Sequence, residues 1–201
     1  MKAHNFYESR KTETKHFAAA DIFYTEQMDA TKIVRCDYST KEGRNFQKAD
    51  IDLWLNLKTG KVSVSEKKRT RDYNDLYLEV YSKFPDTPGW TTLSKADFLA
   101  YFFPKRVFWA GFPQIIRFYN EQLAPRFPQE LFKKLRHHNR EKNTIEKITV
   151  NVAGLSCPVS LIQAYNECDG NSWYTMGISI PFDMLTNNHI KYRIYELKEI
   201  T

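Results

Sequence analysis

Two alternating segments separated by a glycine turn constrain the fold of this chain more than any other feature. Residues 50–57 alternate polar and apolar side chains, and residues 62–68 do the same, as strands with one buried face do. Gly60, within the turn between them, supplies the positive backbone angle that a tight hairpin needs. The sequence therefore predicts an antiparallel hairpin whose second strand ends beside the start of the first.

Charged residues gather at the open end of this predicted hairpin. Asp52 lies near the start of the first strand, and Glu66 and Lys68 project together from the second because residues two apart share a face. Two carboxylates can hold a divalent metal ion while a lysine orients or activates a water beside a phosphate. The alternative to a catalytic site is a solvated hairpin end with scattered charges.

Composition excludes some classes of protein and leaves others open. The 201 residues and 42% hydrophobic content suit one domain with a real core. A net charge of +6 is compatible with a polyanionic partner without proving one. No apolar run approaches the ~20 residues that cross a bilayer. Three scattered cysteines fit a reducing compartment, so a cytoplasmic protein is predicted.

The sequence predicts an N-terminal arm followed by one domain. Residues 1–15 are polar and are predicted to form a loose arm, and residues 16–201 are predicted to form a single αβ domain. Apolar residues at helical spacing predict a helix over residues 16–28. Residues 39–48 are predicted to be a polar loop, and loops are predicted between the strands at 148–152 and 174–180.

Other charged residues have two interpretations each. Glu79 is either a further acid for the same cleft or a cross-strand partner for a basic residue. Asp21 or Glu26, on the predicted helix, is either solvated or directed at the metal. The positively charged run at residues 133–147 is either a solvated helix end or a contact to nucleic-acid phosphates.

Several well-known motifs are missing from the sequence. It contains no glycine-rich phosphate loop, no serine in a nucleophile elbow and no HExxH pair. His137 and His138 do not combine with the cysteines at zinc-ligand spacing. By elimination, the acid–lysine cluster is the constellation that carries a mechanism.

The order of these features resembles the core of the PD-(D/E)XK, or restriction-endonuclease-like, nucleases. A helix and a strand precede Asp52 on a second strand and Glu66-Lys67-Lys68 on a third. The strings FQKADIDLWL, SVSEKKRTRDYNDLYLEVYS, PGW, ADFLAYFF and GNSWYTMGISIPFDML are similar to those of small phage and bacterial members. The resemblance implies an α/β (α+β) fold with a mixed central sheet flanked by helices. It also implies a magnesium-dependent (or manganese-dependent) endonuclease that cuts nucleic acid, DNA rather than RNA.

The resemblance also implies roles for individual residues. Asp52 and Glu66 would bind one or two Mg²⁺ ions, with Glu79 as an additional ligand. Lys68, or Lys67 in the other register, would orient the attacking water. The residues expected to grip the flanking phosphates are Lys58, Lys61, Arg69 and Arg71. A homodimer is a further expectation, since nucleases that cut both strands often work as dimers.

One position departs from the family pattern, which has an acid immediately before Glu-Lys. This chain has Ser65 there. If the working pair is Ser65 with Lys67, one carboxylate is missing, and the protein is a weak or inactive nuclease that binds nucleic acid or a protein partner. If the pair is Glu66 with Lys68, the set is complete. Glu66 is favoured because a hydroxyl is a poor ligand for Mg²⁺.

Overall fold

The structure is a computed structural model that describes residues 4–5, 17–138 and 143–197. The predicted arm, residues 1–15, lies outside the described residues apart from 4–5. The described strands are β1 (His4–Asn5), β2 (Lys32–Arg35), β3 (Leu53–Leu57), β4 (Gly60–Lys68), β5 (Asp75–Lys83), β6 (Thr87–Pro88), β7 (Phe98–Phe102), β8 (Arg106–Gly111), β9 (Thr144–Val152), β10 (Leu155–Cys168), β11 (Asn171–Pro181) and β12 (Tyr192–Glu196). The described helices are α1 (residues 17–26), α2 (Lys41–Lys48), α3 (Trp90–Leu93), α4 (Phe112–Phe118), α5 (Gln129–His138) and α6 (Phe182–Asn187), with a π-helical turn at Tyr119–Leu123 and a 3₁₀ turn at Ala124–Arg126.

The chain divides into two compact units, and each is assembled from separate stretches of sequence. The described parts of unit 1 are residues 4–5, 74–92, 115–138 and 143–190, and those of unit 2 are residues 17–73, 93–114 and 191–197. The predicted α+β class is confirmed, because both units contain a sheet with parallel and antiparallel pairs together with helices. Because neither unit is one continuous stretch, the single domain at residues 16–201 stays a prediction. None of the helices in the described ranges has the length and apolar character that spanning a bilayer requires.

The sheet of unit 2 contains the predicted hairpin. Its described strands run in the order β12-β8-β7-β4-β3-β2, with β4 and β7 parallel and the other neighbours antiparallel. Leu53 pairs with Val64 and Leu57 with Gly60, whose φ of 132° fits the turn. The hairpin prediction is therefore confirmed, and its register brings the start of β3 beside the end of β4.

The core of unit 2 lies on one face of this hairpin. Strand alternation turns Leu53, Leu55 and Val64 to the same side, where they pack with Phe23 and Tyr24 of α1. All five side chains are at most 2% exposed. Three-and-four spacing of apolar residues in α1 is the reason this helix covers the sheet. The opposite face of β3 and β4 is left for polar side chains.

Residues 39–48 were predicted to be a loop, and that prediction is wrong. Residues Lys41–Lys48 form α2, and the Gly43 amide donates to the Oγ1 of the N-cap Thr40 over 2.9 Å. Phe46 is the one large apolar residue of α2, so the spacing of apolar residues does not reveal the helix. Its ring packs on Trp54 with ring centroids 5.7 Å apart. A Cβ at position 43 would lie 1.8 Å from the Asp37 carbonyl oxygen, so only glycine fits there.

The sheet of unit 1 corrects a second loop prediction. Its described strands run β1-β10-β11-β5-β6, and β9 also pairs with β10. The loop expected between residues 152 and 174 is mostly β10, a strand of 14 residues. Cys157, Val159, Leu161 and Gln163 alternate as buried residues. Pro158 within the strand, the apolar Ile162 on the other face and the polar Gln163 on the buried face weaken this pattern.

Truncating a core leucine of the hairpin tests this packing. Leu55→Ala should lower the free energy of unfolding by about 2–5 kcal/mol, because the residue is fully buried and the lost methyl groups leave a cavity. Leu93→Ala is the matched control in the same unit; Leu93 is 42% exposed, and its loss should be below about 1 kcal/mol. Urea unfolding measures both, and equal losses would contradict the described core.

Candidate functional site

The polar face of the hairpin carries a row of buried groups. Ser63 and Ser65 are 2% and 0% exposed, and Lys67 continues the same face of β4. Ser63 is satisfied by Asp97, whose Oδ2 accepts from its amide over 2.8 Å and from its hydroxyl over 2.7 Å. The Ser63 end of the row is therefore structural, and the chemistry lies further along β4.

Asp50, Asp52, Ser65 and Lys67 meet at the open end of the hairpin, and we name them the aspartate–lysine centre. Asp50 Oδ1 accepts from Lys67 Nζ over 2.6 Å, and its Oδ2 accepts from Ser65 Oγ over 2.7 Å. Asp52 Oδ2 lies 3.7 Å from the same Nζ. The side chains of Asp50, Asp52 and Lys67 are 16%, 29% and 18% exposed, so the charges are shielded but reachable.

The turn after α2 places Asp50 in the centre. The Asp50 amide donates to Gln47 O over 3.1 Å, and the Ile51 amide donates to Phe46 O over 3.0 Å. Asp50 itself has a φ of 54°, in the left-handed region that aspartate tolerates better than most residues. Sequence reasoning missed Asp50, although its spacing of two from Asp52 was a signal that both could share a face.

Two donors fix the orientation of Asp52. Tyr38 Oη donates to its Oδ1 over 2.6 Å, and the Glu66 amide donates to its Oδ2 over 2.7 Å. Burial raises the pKa of Tyr38, and the charge of Asp52 raises it further, so the phenol stays protonated and remains a donor. Asp52 is thus held in place without a counter-charge in direct hydrogen-bond contact.

Burial raises the pKa of Asp50, while Lys67 and Ser65 oppose that effect. Both ionised partners give up hydration to meet, so the ion pair contributes little net stability.

Glu66 takes part in a different cluster, on the core-facing side of β4. Its Oε2 accepts from Arg35 Nη1 over 2.7 Å and its Oε1 accepts from Tyr24 Oη over 2.9 Å. Arg35 Nη2 also donates to Asp21 Oδ1 over 2.6 Å. The Glu66 side chain is 7% exposed, and burial raises its pKa against the opposing effect of Arg35. We name Asp21, Tyr24, Arg35 and Glu66 the Arg35 cluster.

The predicted Asp52, Glu66 and Lys68 set is therefore divided between two faces. Asp52 lies with Lys67, whereas both oxygens of Glu66 already accept hydrogen bonds in the Arg35 cluster. Alternation places Lys68 on the Glu66 face, where burial lowers the pKa of its ammonium group. Of the two pairs considered, Ser65 with Lys67 is the one that the structure places beside Asp52.

Two of the other predicted acids, Glu79 and Glu26, lie on other elements. Glu79 belongs to β5 of unit 1, where its cross-strand neighbour is Gly177. Glu26 is exposed near the end of α1.

The predicted phosphate-gripping residues form two pairs. Lys58 is 79% exposed and lies 3.8 Å from Asp29, and Lys61 Nζ lies 4.5 Å from the Trp54 ring centroid. Both are at the hairpin turn, roughly 20 Å along β4 from Lys67 at the usual rise per residue. Arg69 and Arg71 instead follow the end of β4, with the Arg69 guanidinium 5.1 Å from the Tyr73 ring. This second pair is the one close in sequence to the aspartate–lysine centre.

The centre offers few protein ligands for a metal ion. Within the described ranges, no group of three or more His, Cys, Asp or Glu residues is arranged to hold one. Mg²⁺ nevertheless often binds through one or two carboxylates, completed by water and substrate phosphate. Asp50 and Asp52 both lie within 3.7 Å of Lys67 Nζ, so two hard oxygen donors converge there. This donor set fits Mg²⁺ or Mn²⁺ taken up with a phosphate rather than a closed metal cage.

Comparison with known proteins does not assign this chain to a family. No family model matches the chain, and no curated protein or solved structure matches it. The fold and the site thus define an α+β protein with a shielded aspartate–lysine centre at the open end of a hairpin.

Removing the arginine of the Arg35 cluster should cost stability. Arg35→Met leaves the Glu66 carboxylate buried without its cation, and we expect the free energy of unfolding to fall by about 3 kcal/mol. Arg35→Met combined with Glu66→Gln should recover much of that loss, because the buried side chain at position 66 then carries no charge and Asp21 is 46% exposed. Arg44→Met, at an exposed arginine, is the control. Urea unfolding of the four proteins provides the comparison; a double variant no more stable than the single one would refute the charge argument.

Proposed function

We propose that the chain is a metal-dependent nuclease that hydrolyses nucleic-acid phosphodiester bonds at the aspartate–lysine centre. The observation that carries the proposal is the convergence of Asp50 and Asp52 on Lys67, at 2.6 and 3.7 Å from its Nζ. Asp50 Oδ2 also lies 2.7 Å from the hydroxyl of Ser65. Asp50 therefore brings a carboxylate to the position where the PD-(D/E)XK resemblance calls for an acid.

The order of elements in unit 2 supports the same proposal. The resemblance implies a helix, a strand, a second strand with an aspartate and a third with the lysine. Unit 2 has α1, β2, β3 preceded directly by Asp52, and β4 with Lys67, in that order. A restriction-endonuclease-like arrangement of this unit is therefore part of what we propose.

The side chains have distinct roles in the proposed reaction. Asp50 and Asp52 would hold Mg²⁺ or Mn²⁺, which when bound lowers the pKa of a water and offsets charge on the phosphate. Lys67 would leave its ion pair with Asp50 and place its ammonium group against the phosphate oxygens, where positive charge stabilises the transition state. Tyr38 and the Glu66 amide keep Asp52 in one orientation, so little reorganisation is needed.

The proposal includes nucleic acid as the binding partner. Arg69 and Arg71, directly after β4, would contact flanking phosphates, and the net charge of +6 favours a polyanion. DNA is proposed ahead of RNA, and a homodimer would allow both strands to be cut. All three cysteines are free thiols, which supports a cytoplasmic location as part of the proposal.

A second candidate function is favoured by one observation. Position 65 carries a hydroxyl instead of a carboxylate, and Lys67 is already paired with Asp50 over 2.6 Å. A centre that keeps this ion pair would bind nucleic acid or a protein partner without cutting. Such a binder shows salt-sensitive association and no turnover in the presence of metal.

Nicking of supercoiled plasmid with Mg²⁺ or Mn²⁺, with and without EDTA, separates the two functions. We expect metal-dependent nicking that EDTA abolishes. Asp50→Asn and Asp52→Asn should each lower the rate about 100-fold or more, since each removes a charged ligand while preserving shape. Unchanged nicking by either variant would remove that residue from the mechanism, and binding without nicking by the wild type would favour the second function.

The two lysines of β4 provide a matched pair of variants that distinguishes the registers. Lys67→Met should abolish nicking, because the ammonium group at the centre is lost. Lys68→Met should retain most of it, because Lys68 shares the face of Glu66. Circular dichroism melting confirms that both variants fold. The opposite outcome would assign the reaction to the Glu66 register.

The raised pKa of Asp50 predicts how metal use depends on pH. Because burial raises this pKa, protons compete for the carboxylate at higher pH than for an exposed aspartate, whose pKa is about 3.9. A protonated Asp50 is a poor ligand, so the Mg²⁺ concentration for half-maximal nicking should rise as pH is lowered. That rise should begin above the range in which exposed aspartates titrate. Mg²⁺ titrations across a pH series measure it, and a half-maximal concentration independent of pH would contradict the role of Asp50.

A further inference from the structure

Unit 1 contains a pocket whose lining shares no residue with the aspartate–lysine centre. It is lined by Phe84, Lys133, Arg136 and His137 and has a volume of about 440 Å³. Cavities of roughly 300–1,000 Å³ accommodate small organic ligands, so the space is larger than a lone inorganic anion requires. Three of its four lining residues are basic, and the fourth is aromatic.

The aromatic wall of the pocket is held in place. The Phe84 ring lies 5.1 Å from the Tyr81 ring and 6.5 Å from the Phe132 ring, and its amide donates to Tyr174 O over 2.8 Å. Phe132 is fully buried, whereas Phe84 is only half-buried. Phe84 therefore presents a fixed apolar surface to the pocket instead of filling the core.

The cations of the pocket are available to an anion. The Arg136 guanidinium lies 4.0 Å from the Tyr174 ring centroid, and no carboxylate in the described parts of the chain pairs with it. Lys133 contacts Glu130 over 2.7 Å, but the two side chains are 50% and 70% exposed. Such an exposed pair contributes little to stability, so a phosphate can replace it.

We propose that this pocket binds a nucleotide of single-stranded nucleic acid. Lys133 and Arg136 hold the phosphate, and Phe84 provides the surface on which the base stacks. A basic groove combined with aromatic side chains is how proteins bind single strands without reading sequence, and a bare anion site has no use for the ring. Lys133 and Arg136 both belong to the positively charged run at residues 133–147, so the proposal gives these two residues a ligand. The site uses none of the residues of the aspartate–lysine centre.

Fluorescence anisotropy of a labelled oligothymidylate with the full chain, in EDTA, tests the phosphate contacts. Arg136→Glu should weaken binding about tenfold or more. Lys134→Glu makes the same charge change on the same helix, outside the pocket lining, and should weaken binding less than about threefold. Equal losses would show diffuse attraction and overturn the proposal, as would a wild-type chain that does not bind at low salt.

A second pair of measurements tests the base. Phe84→Leu should weaken binding to oligothymidylate about tenfold, because stacking is lost, and should leave binding to an abasic strand of the same length unchanged. Phe84→Met is the alternative if the leucine variant does not fold by circular dichroism. Equal effects on the two strands would show that the base does not stack on Phe84. The measurement is made in EDTA and reads binding, not cleavage, so a failure of the proposed nuclease function leaves this test intact.

Discussion

The pairing of β3 with β4 is the constraint on which the functional site depends. Because side chains alternate across a strand, this pairing sends Val64 and Glu66 to the core-facing side and Ser65 and Lys67 to the other. A register shift of one residue would exchange the two sets and bury different charges. Buried leucines of β3 oppose such a shift, since they would be turned out of the core. The hydrophobic core of unit 2 therefore fixes which acids can meet which base.

The two charge clusters at the end of β4 differ in how their carboxylates are held. In the Arg35 cluster, a planar guanidinium reaches two acids while Tyr24 bonds the second oxygen of Glu66, so that carboxylate has little capacity left for a metal. In the aspartate–lysine centre, one flexible ammonium group serves two carboxylates, at 2.6 and 3.7 Å. The first cluster is built for rigidity. The proposed reaction requires the second to exchange partners.

Basic and aromatic residues are used differently in the two units. In unit 2 most of the aromatic rings around α1 are packed into the core, for example Phe23 against Phe102 at 5.7 Å. In unit 1 the rings of Phe84 and Tyr174 stay half-buried beside cations. Burial of rings stabilises a fold, whereas a half-exposed ring next to a guanidinium is a surface that a planar ligand can use. The aromatic residues of the chain are therefore divided between the core and half-buried positions beside cations.

The sequence by itself determined the α+β class, the hairpin and α1, because alternation and helical spacing are local properties that burial of one face enforces. It also marked Asp52 and the Lys67 segment as neighbours. It missed α2 and β10, since α2 has Phe46 as its one large apolar residue and β10 contains Pro158. Only the tertiary structure decided that Glu66 belongs with Arg35 and that Asp50 reaches Lys67. Those choices depend on a left-handed turn and on side chains from distant segments, and no local pattern encodes which of several nearby charges will pair.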